Sequence, residues 1–220
     1  RLYQQKLFEA AVEQDVIVSL PTGQGKTLVA LLLLKHLSGA WEKGRQTLFV
    51  VPSRPLAIQQ AREVARNVAG RVVSVHDDFA ARADNRVKVR EANVVVGTHG
   101  AVKALLDTYP DVLSMGRVNL LVMDECHNAR ADHDYAAILG RFRELPQDHR
   151  PRILGLTASP LHKWKSMVQG AAQLRALEES MGAVVLDLPA LSRLVGDPVP
   201  VRPQRVEEID MPCSEPPLAS

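Results

Sequence analysis

Short apolar runs bounded by turn residues recur along the chain: Val16 to Leu20, Thr47 to Val51, Val72 to Val75, Asn93 to Val96, Val118 to Met123 and Ile153 to Leu156. Each is rich in Val, Leu or Ile and lacks the alternation of a strand with one wet face, so the runs predict strands buried on both faces. Helical spacing connects them, in Leu28 to Leu37, Leu56 to Val68, Ala101 to Leu106 and Tyr135 to Phe142. Strands alternating with helices predict βαβ units, hence an α/β fold with a central, mostly parallel sheet flanked by helices. After Pro160 the character changes. Leu161 to Met181 fits one helix with Trp164, Met167, Val168, Ala171, Leu174 and Leu177 along one side. Residues 189–220 hold seven prolines, and only Arg205 to Ile209 reads as a strand there.

Composition narrows the class. Hydrophobic residues make up 46% of the 220 and charged residues 24%, enough to bury a proper core and too apolar for disorder over most of the chain. At roughly 150 residues per domain the length allows one large domain or one domain plus a fragment. The longest apolar run, Leu28 to Leu34, is far too short for a membrane span, which needs about 18 residues. No signal peptide is visible, and two cysteines cannot build a disulfide framework. A reducing compartment, cytoplasmic or nuclear, is the simpler expectation.

The net charge of +2 argues for no partner, but its distribution does. Residues 45–90 hold nine basic side chains against four acidic ones, a local +5. Such a segment fits a polyanion partner, and it equally fits a solvated Arg-rich surface.

Five polar segments follow directly on the apolar runs: Pro21 to Thr27, Pro52-Ser53-Arg54, Gly97-Thr98-His99-Gly100, Asp124-Glu125-Cys126-His127 and Thr157-Ala158-Ser159. In an open α/β sheet, ligands bind outside the carboxyl ends of the strands, so the five point to one shared site. Thr22-Gly23-Gln24-Gly25-Lys26-Thr27 lies between a predicted strand and a predicted helix, the context that makes a Gly-Lys-Thr match a credible phosphate loop for ATP. Gly23 and Gly25 let the backbone bend towards the phosphates, Lys26 would reach the β and γ phosphates, and the Thr27 hydroxyl would ligate Mg2+. Leu20 stands where the general pattern has its first glycine. Asp124 at a strand end could hold the magnesium, and Glu125 could orient or deprotonate the attacking water. An acidic pair can otherwise simply favour a helix N-terminus. Cys126, His127, Asp132 and His133 are metal-ligand types, but no second Cys or His pair completes a four-ligand set, so zinc is not expected. Cys126 as a nucleophile has no better support, since its context is the carboxylate pair.

These residues carry a resemblance. Asp124-Glu125-Cys126-His127 resembles motif II of the DExH group of superfamily 2 helicases, in the form seen in Dicer and the RIG-I-like RNA sensors. Arg1-Leu2-Tyr3-Gln4 matches the Q motif, Pro21 to Thr27 motif I, Pro52 to Gln59 motif Ia and Thr157-Ala158-Ser159 motif III; Asn128 to Tyr135 also resembles Dicer-type sequences. The resemblance implies a RecA-like P-loop NTPase domain over residues 1 to about 165, followed over 166–220 by a connector helix and proline-rich extension towards a second or inserted helicase domain. The start at Arg1, already inside a motif, suggests a domain cut from a longer protein.

It also implies roles. Arg1 and Gln4 would contact the adenine, as an amide can pair with its N6 and N7 positions, although a Gln on an amphipathic first helix need do nothing of the kind. His127 would bridge the γ-phosphate and Thr157 or Ser159, linking nucleotide state to domain movement; a satisfied core histidine is the plainer alternative. Arg54, Gln59 and Thr98 would face the nucleic-acid backbone. His99 and Gly100 depart from the family's Thr-Pro-Gln-like segment, so only Thr98 carries over there. The whole implies an ATP-dependent helicase or translocase acting on double-stranded RNA, with a RIG-I-like sensing ATPase or a DNA-directed superfamily 2 translocase as alternatives. A small-molecule P-loop kinase would explain neither motif Ia nor Thr157-Ala158-Ser159. No Gln-x-x-Gly-Arg-x-Gly-Arg segment occurs, so the arginine fingers would come from a second RecA-like domain of the same chain.

Overall fold

The computed structural model describes residues 2–38, 44–77, 79, 82–130, 133–158 and 167–187. Arg1, Asp132, Ser159, the first residues of the helix expected from Leu161, and the stretch with Arg205 to Ile209 lie outside the described residues. In chain order the elements are α1 (Leu2–Glu13), β1 (Val16–Ser19), α2 (Lys26–Ser38), β2 (Gln46–Val51), α3 (Arg54–Asn67), β3 (Val72–Val75), α4 (Ala83–Arg90), β4 (Val94–Thr98), α5 (His99–Thr108), β5 (Val118–Asp124), α6 (His133–Arg143), β6 (Arg152–Thr157), α7 (Met167–Met181) and β7 (Val184–Leu186).

All strand pairs are parallel, in the order β3-β4-β2-β5-β6-β1-β7. The expected α/β fold is therefore present. Strand side chains divide between two cores: Val16, Val18, Phe49, Val51, Leu120 and Val122 face one, while Ile17, Leu48, Val50, Leu121 and Met123 face the other. The first core is closed by α1, α2 and α3, the second by α4 to α7. Burial on both faces explains why the strands read as unbroken apolar runs.

Chain direction and helix face are linked. The steps β1 to β2 and β2 to β3 move one way across the sheet under α2 and α3, whereas every later step moves the other way under α4 to α7. A constant crossover hand demands this, because reversing direction must reverse the face that carries the helix.

Three elements differ from expectation. α4 has no strong apolar stripe and buries only Val89, yet the buried Gln46 amide at the start of β2 donates to Val89 O and Ala92 O at 2.6 and 2.9 Å, capping the helix end. β7, three residues long, pairs with β1 and extends the sheet past it, in a stretch where no strand is predicted. α7 buries Leu177 and Met181, while Ala171, expected on its inner side, is exposed.

Gly155 in β6 fixes how closely these layers approach. A Cβ there would lie 3.0 Å from Cys126 Sγ, Ile17 Cγ1 and Met181 Cε. Gly155→Ala is expected to destabilise the fold by about 1–3 kcal/mol through overpacking, read as a lower midpoint in urea unfolding; an unchanged midpoint would show that these neighbours yield freely.

Candidate nucleotide site and nucleic-acid edge

Parallel strands put all their carboxyl ends on one edge, so the polar segments after β1, β2, β4, β5 and β6 line a single rim. At a strand spacing of about 4.8 Å, the β1 loop lies about 10 Å from the end of β5 and about 14 Å from that of β2. β6 sits between the loop and the β5 carboxylates.

The loop after β1 is shaped by two left-handed glycines, Gly23 at φ 77° and Gly25 at φ 92°. Leu20, at the position of the missing glycine, is fully buried, and its amide donates to Thr157 O at 3.1 Å. It anchors the loop from below. α1 clamps the loop from above: Tyr3 Oη donates to Gln24 O at 2.9 Å and Gln4 Nε2 donates to the same carbonyl at 3.0 Å. Gln4 fills the space where a Cβ on Gly25 would stand, 2.1 Å from its Nε2. The motif-Q residues thus contact the phosphate loop directly, and Tyr3 is the member that sequence reasoning gave no role.

Lys26 opens α2, and its Nζ donates to Leu20 O at 2.8 Å. Burial pulls its ammonium below the ordinary range, with Glu125 and Asp124 pushing back. On β5, burial and the Glu125 charge push the Asp124 carboxyl up to about 6, against the pull of the Glu125 amide and Lys26. The Glu125 N–H donates to Asp124 Oδ1 at 3.0 Å. Glu125 itself has φ 48°, a left-handed conformation costing about 1–3 kcal/mol in a residue with a Cβ. Its Oε2 is buried and accepts no hydrogen bond among the described residues. A strained carboxylate lacking a donor suits a site that expects a water or a cation, and the Thr27 hydroxyl with the Asp124 carboxylate is the hard oxygen set that Mg2+ prefers.

His127 Nδ1 lies 2.9 Å from Thr157 Oγ1 and 3.4 Å from Glu125 Oε2. The expected meeting of motifs II and III is therefore seen for Thr157. Cys126 is fully buried beside Gly155, and burial pushes its thiol pKa up, which suits packing and opposes nucleophilic use.

The residues expected to meet nucleic acid are dispersed. Arg54, exposed at the start of α3, donates to Asp77 Oδ2 at 2.9 Å. Gln59 is exposed and borders a cleft with Thr27, Leu28 and Glu63, nearer the phosphate loop than motif spacing suggests. Thr98 ends β4, half-buried. The basic segment of 45–90 forms no single patch, since Arg45 and Arg71 precede β2 and β3 at one edge while Arg54 follows β2 at the other. A cleft of about 370 Å³ opens at the edge where the strands begin, lined by Arg45, Arg150 and Arg152. Arg150 donates to Leu145 O and Arg143 O, and Arg152 to Ala11 O and Val12 O, so both serve as structural ties.

A model of the DEAD/DEAH box helicase family matches residues 1–167. Dicer-like protein 1 of Aspergillus terreus is 34% identical over 211 residues, covering 90% of this chain and 14% of that protein. Endoribonuclease Dicer of Gallus gallus is 36% identical over 220 residues, with coverages of 90% and 11%. The chain thus spans about one seventh, or less, of the curated relatives it matches. Among solved structures, the Pyrococcus furiosus Hef helicase domain superposes with a TM-score of 0.67 at 22% identity, over 88% of this chain and 39% of that one. This likeness shows the RecA-like fold. No helix among the described residues is long and apolar enough to cross a membrane.

The native protein holds the Asp124 proton more tightly than an unfolded chain, whose aspartates ionise near pH 4. The share of stability due to this group in the nucleotide-free protein therefore falls as pH rises from about 4 to about 6. Asp124→Asn should gain on the wild type across that window in urea unfolding; parallel curves would mean that the carboxyl is not buried as described.

Proposed function

The chain belongs to the DEAD/DEAH box helicase family, and from that premise we propose that it is the ATP-binding and hydrolysing half of a superfamily 2 helicase or translocase acting on double-stranded RNA, within the helicase region of a Dicer-like protein. The observation that supports this best is the alignment of the β1 loop, Thr157 on β6 and the β5 carboxylates along one rim, with His127 held against Thr157. Both named relatives carry Dicer in their names.

In this reading Lys26 leaves Leu20 O and turns to the β and γ phosphates. The loop amides and the N-terminus of α2 present positive charge to the same phosphates. Thr27 and Asp124 hold the magnesium, which when bound neutralises phosphate charge. The Glu125 carboxylate, strained and short of a donor, orients the attacking water in line with the γ-phosphate and takes its proton. Arg1 and Gln4 reach the adenine, and the clamp of Tyr3 on Gln24 holds Gln4 over the loop. His127, Thr157 and Ser159 pass the nucleotide state to a second RecA-like domain. Arg54, Gln59 and Thr98 touch the RNA backbone, which requires Arg54 to exchange Asp77 for phosphate. The protein works in the cytoplasm or nucleus, where Cys126 stays reduced.

Glu125→Gln in the full-length protein should retain nucleotide while turnover falls at least about 100-fold; undiminished turnover would remove Glu125 from the water-positioning role. Duplex RNA should stimulate ATP hydrolysis more than duplex DNA, and the reverse order would make the protein a DNA translocase. Residues 1–220 alone should hydrolyse ATP poorly, since an arginine finger contributes about 10³–10⁵ in rate. Robust RNA-stimulated turnover by that piece would show that it carries a complete site.

A further inference from the structure

His99 and Gly100 are the residues at which the β4 segment departs from its family pattern, and the structure gives both an occupation. His99 opens α5 directly after Thr98, and its Nδ1 lies 3.3 Å from Asp134 Oδ2 on α6. Its ring packs on Tyr135, with centroids 5.1 Å apart and planes inclined by 37°. Gly100 leaves room for the carboxylate, because a Cβ there would stand 3.3 Å from Asp134 Oδ2. Tyr135, buried to 1% exposure, then donates its hydroxyl to Asp124 O at 2.8 Å. Side chains thus run continuously from the end of β4 to the end of β5, two strand spacings or about 10 Å away, without passing through β2.

We propose that His99, Asp134 and Tyr135 form a positioning link between the nucleic-acid edge and the magnesium carboxylate, through which RNA at Thr98 sets the backbone of Asp124-Glu125 for hydrolysis. The proposal rests on the functional reading above. Its physical basis is that Glu125 holds a strained left-handed conformation immediately after Asp124, so a small displacement of Asp124 O changes where the Glu125 carboxylate points. A hydroxyl bonded to that carbonyl is well placed to transmit one. The three residues touch neither nucleotide nor reacting water, and they are positioning residues.

The test is steady-state ATP hydrolysis by the full-length protein, with and without duplex RNA, for Tyr135→Phe, Asp134→Asn, His99→Leu and His99→Asn. Phe keeps the buried ring and loses the hydroxyl that bonds Asp124 O. Asn at 99 keeps a donor near the position of Nδ1, whereas Leu does not. Tyr135→Phe, Asp134→Asn and His99→Leu should keep the basal rate and the KM for ATP within about twofold, and lose about five- to tenfold of the RNA-stimulated kcat. His99→Asn should recover most of that loss. Equal falls in basal and stimulated rates would mean that the residues merely hold the fold, and full stimulation in all variants would remove the link; either result overturns the proposal. If RNA does not stimulate even the wild type, the functional reading falls and the link with it. Failure of the link alone shows instead as a stimulated wild type with equally stimulated variants.

Discussion

The parallel sheet, buried on both faces, is the constraint from which the rest follows. Its central strands have no wet side, so polar chemistry there is confined to the loops where they end, and parallel direction gathers those ends on one rim. Val18, Val50, Val122 and Leu154 are fully buried, and none could be exchanged for a catalytic group without leaving it unsatisfied. The phosphate loop, the carboxylate pair and Thr157 are neighbours because β1, β6 and β5 are neighbours.

Local stress is concentrated at that rim. Lys26 is partly buried, Asp124 is held towards its protonated form, and Glu125 combines a left-handed backbone with a buried oxygen that lacks a hydrogen bond among the described residues and lies 3.4 Å from His127 Nδ1. In the function proposed, each condition would be relieved by a polyanion and a divalent cation: phosphate would draw Lys26 away from Leu20 O, and the cation would accept the charge of Asp124. The surrounding core holds this rim in shape. Gly155, Cys126 and Met181 press together directly beneath the start of motif II, so the conformation of Glu125 has a rigid floor.

The edge proposed to meet nucleic acid is organised more loosely. Arg54 is tied to Asp77 by an exposed ion pair, the kind worth little in water and readily traded for a phosphate. The basic residues of 45–90 that gave the sequence its local charge are spread over both edges of the sheet. Chain proximity exaggerated their proximity in space, because successive residues of a βαβ unit travel from one edge to the other.

What the amino-acid sequence determined alone was whatever depends on local chemistry. The strands after Asp15, Arg45 and Arg117 were legible because burial on both faces leaves an unbroken apolar run. The Gly-Lys-Thr loop was legible because its backbone needs Gly23 and Gly25, and the Asp124-Glu125 pair because two adjacent carboxylates at the end of an apolar run stand out. Tertiary structure decided the rest. α4 is held by Gln46, 43 positions before the Val89 carbonyl it bonds, and β7 exists as a strand because β1 offers an edge to its three residues. The bond of Tyr135 to Asp124 O, the clamp of Tyr3 on Gln24 and the match of Gly100 to Asp134 have no signature in any single segment. Such contacts join groups distant in the chain, and their energy depends on where packing brings the two atoms, which neither residue encodes by itself.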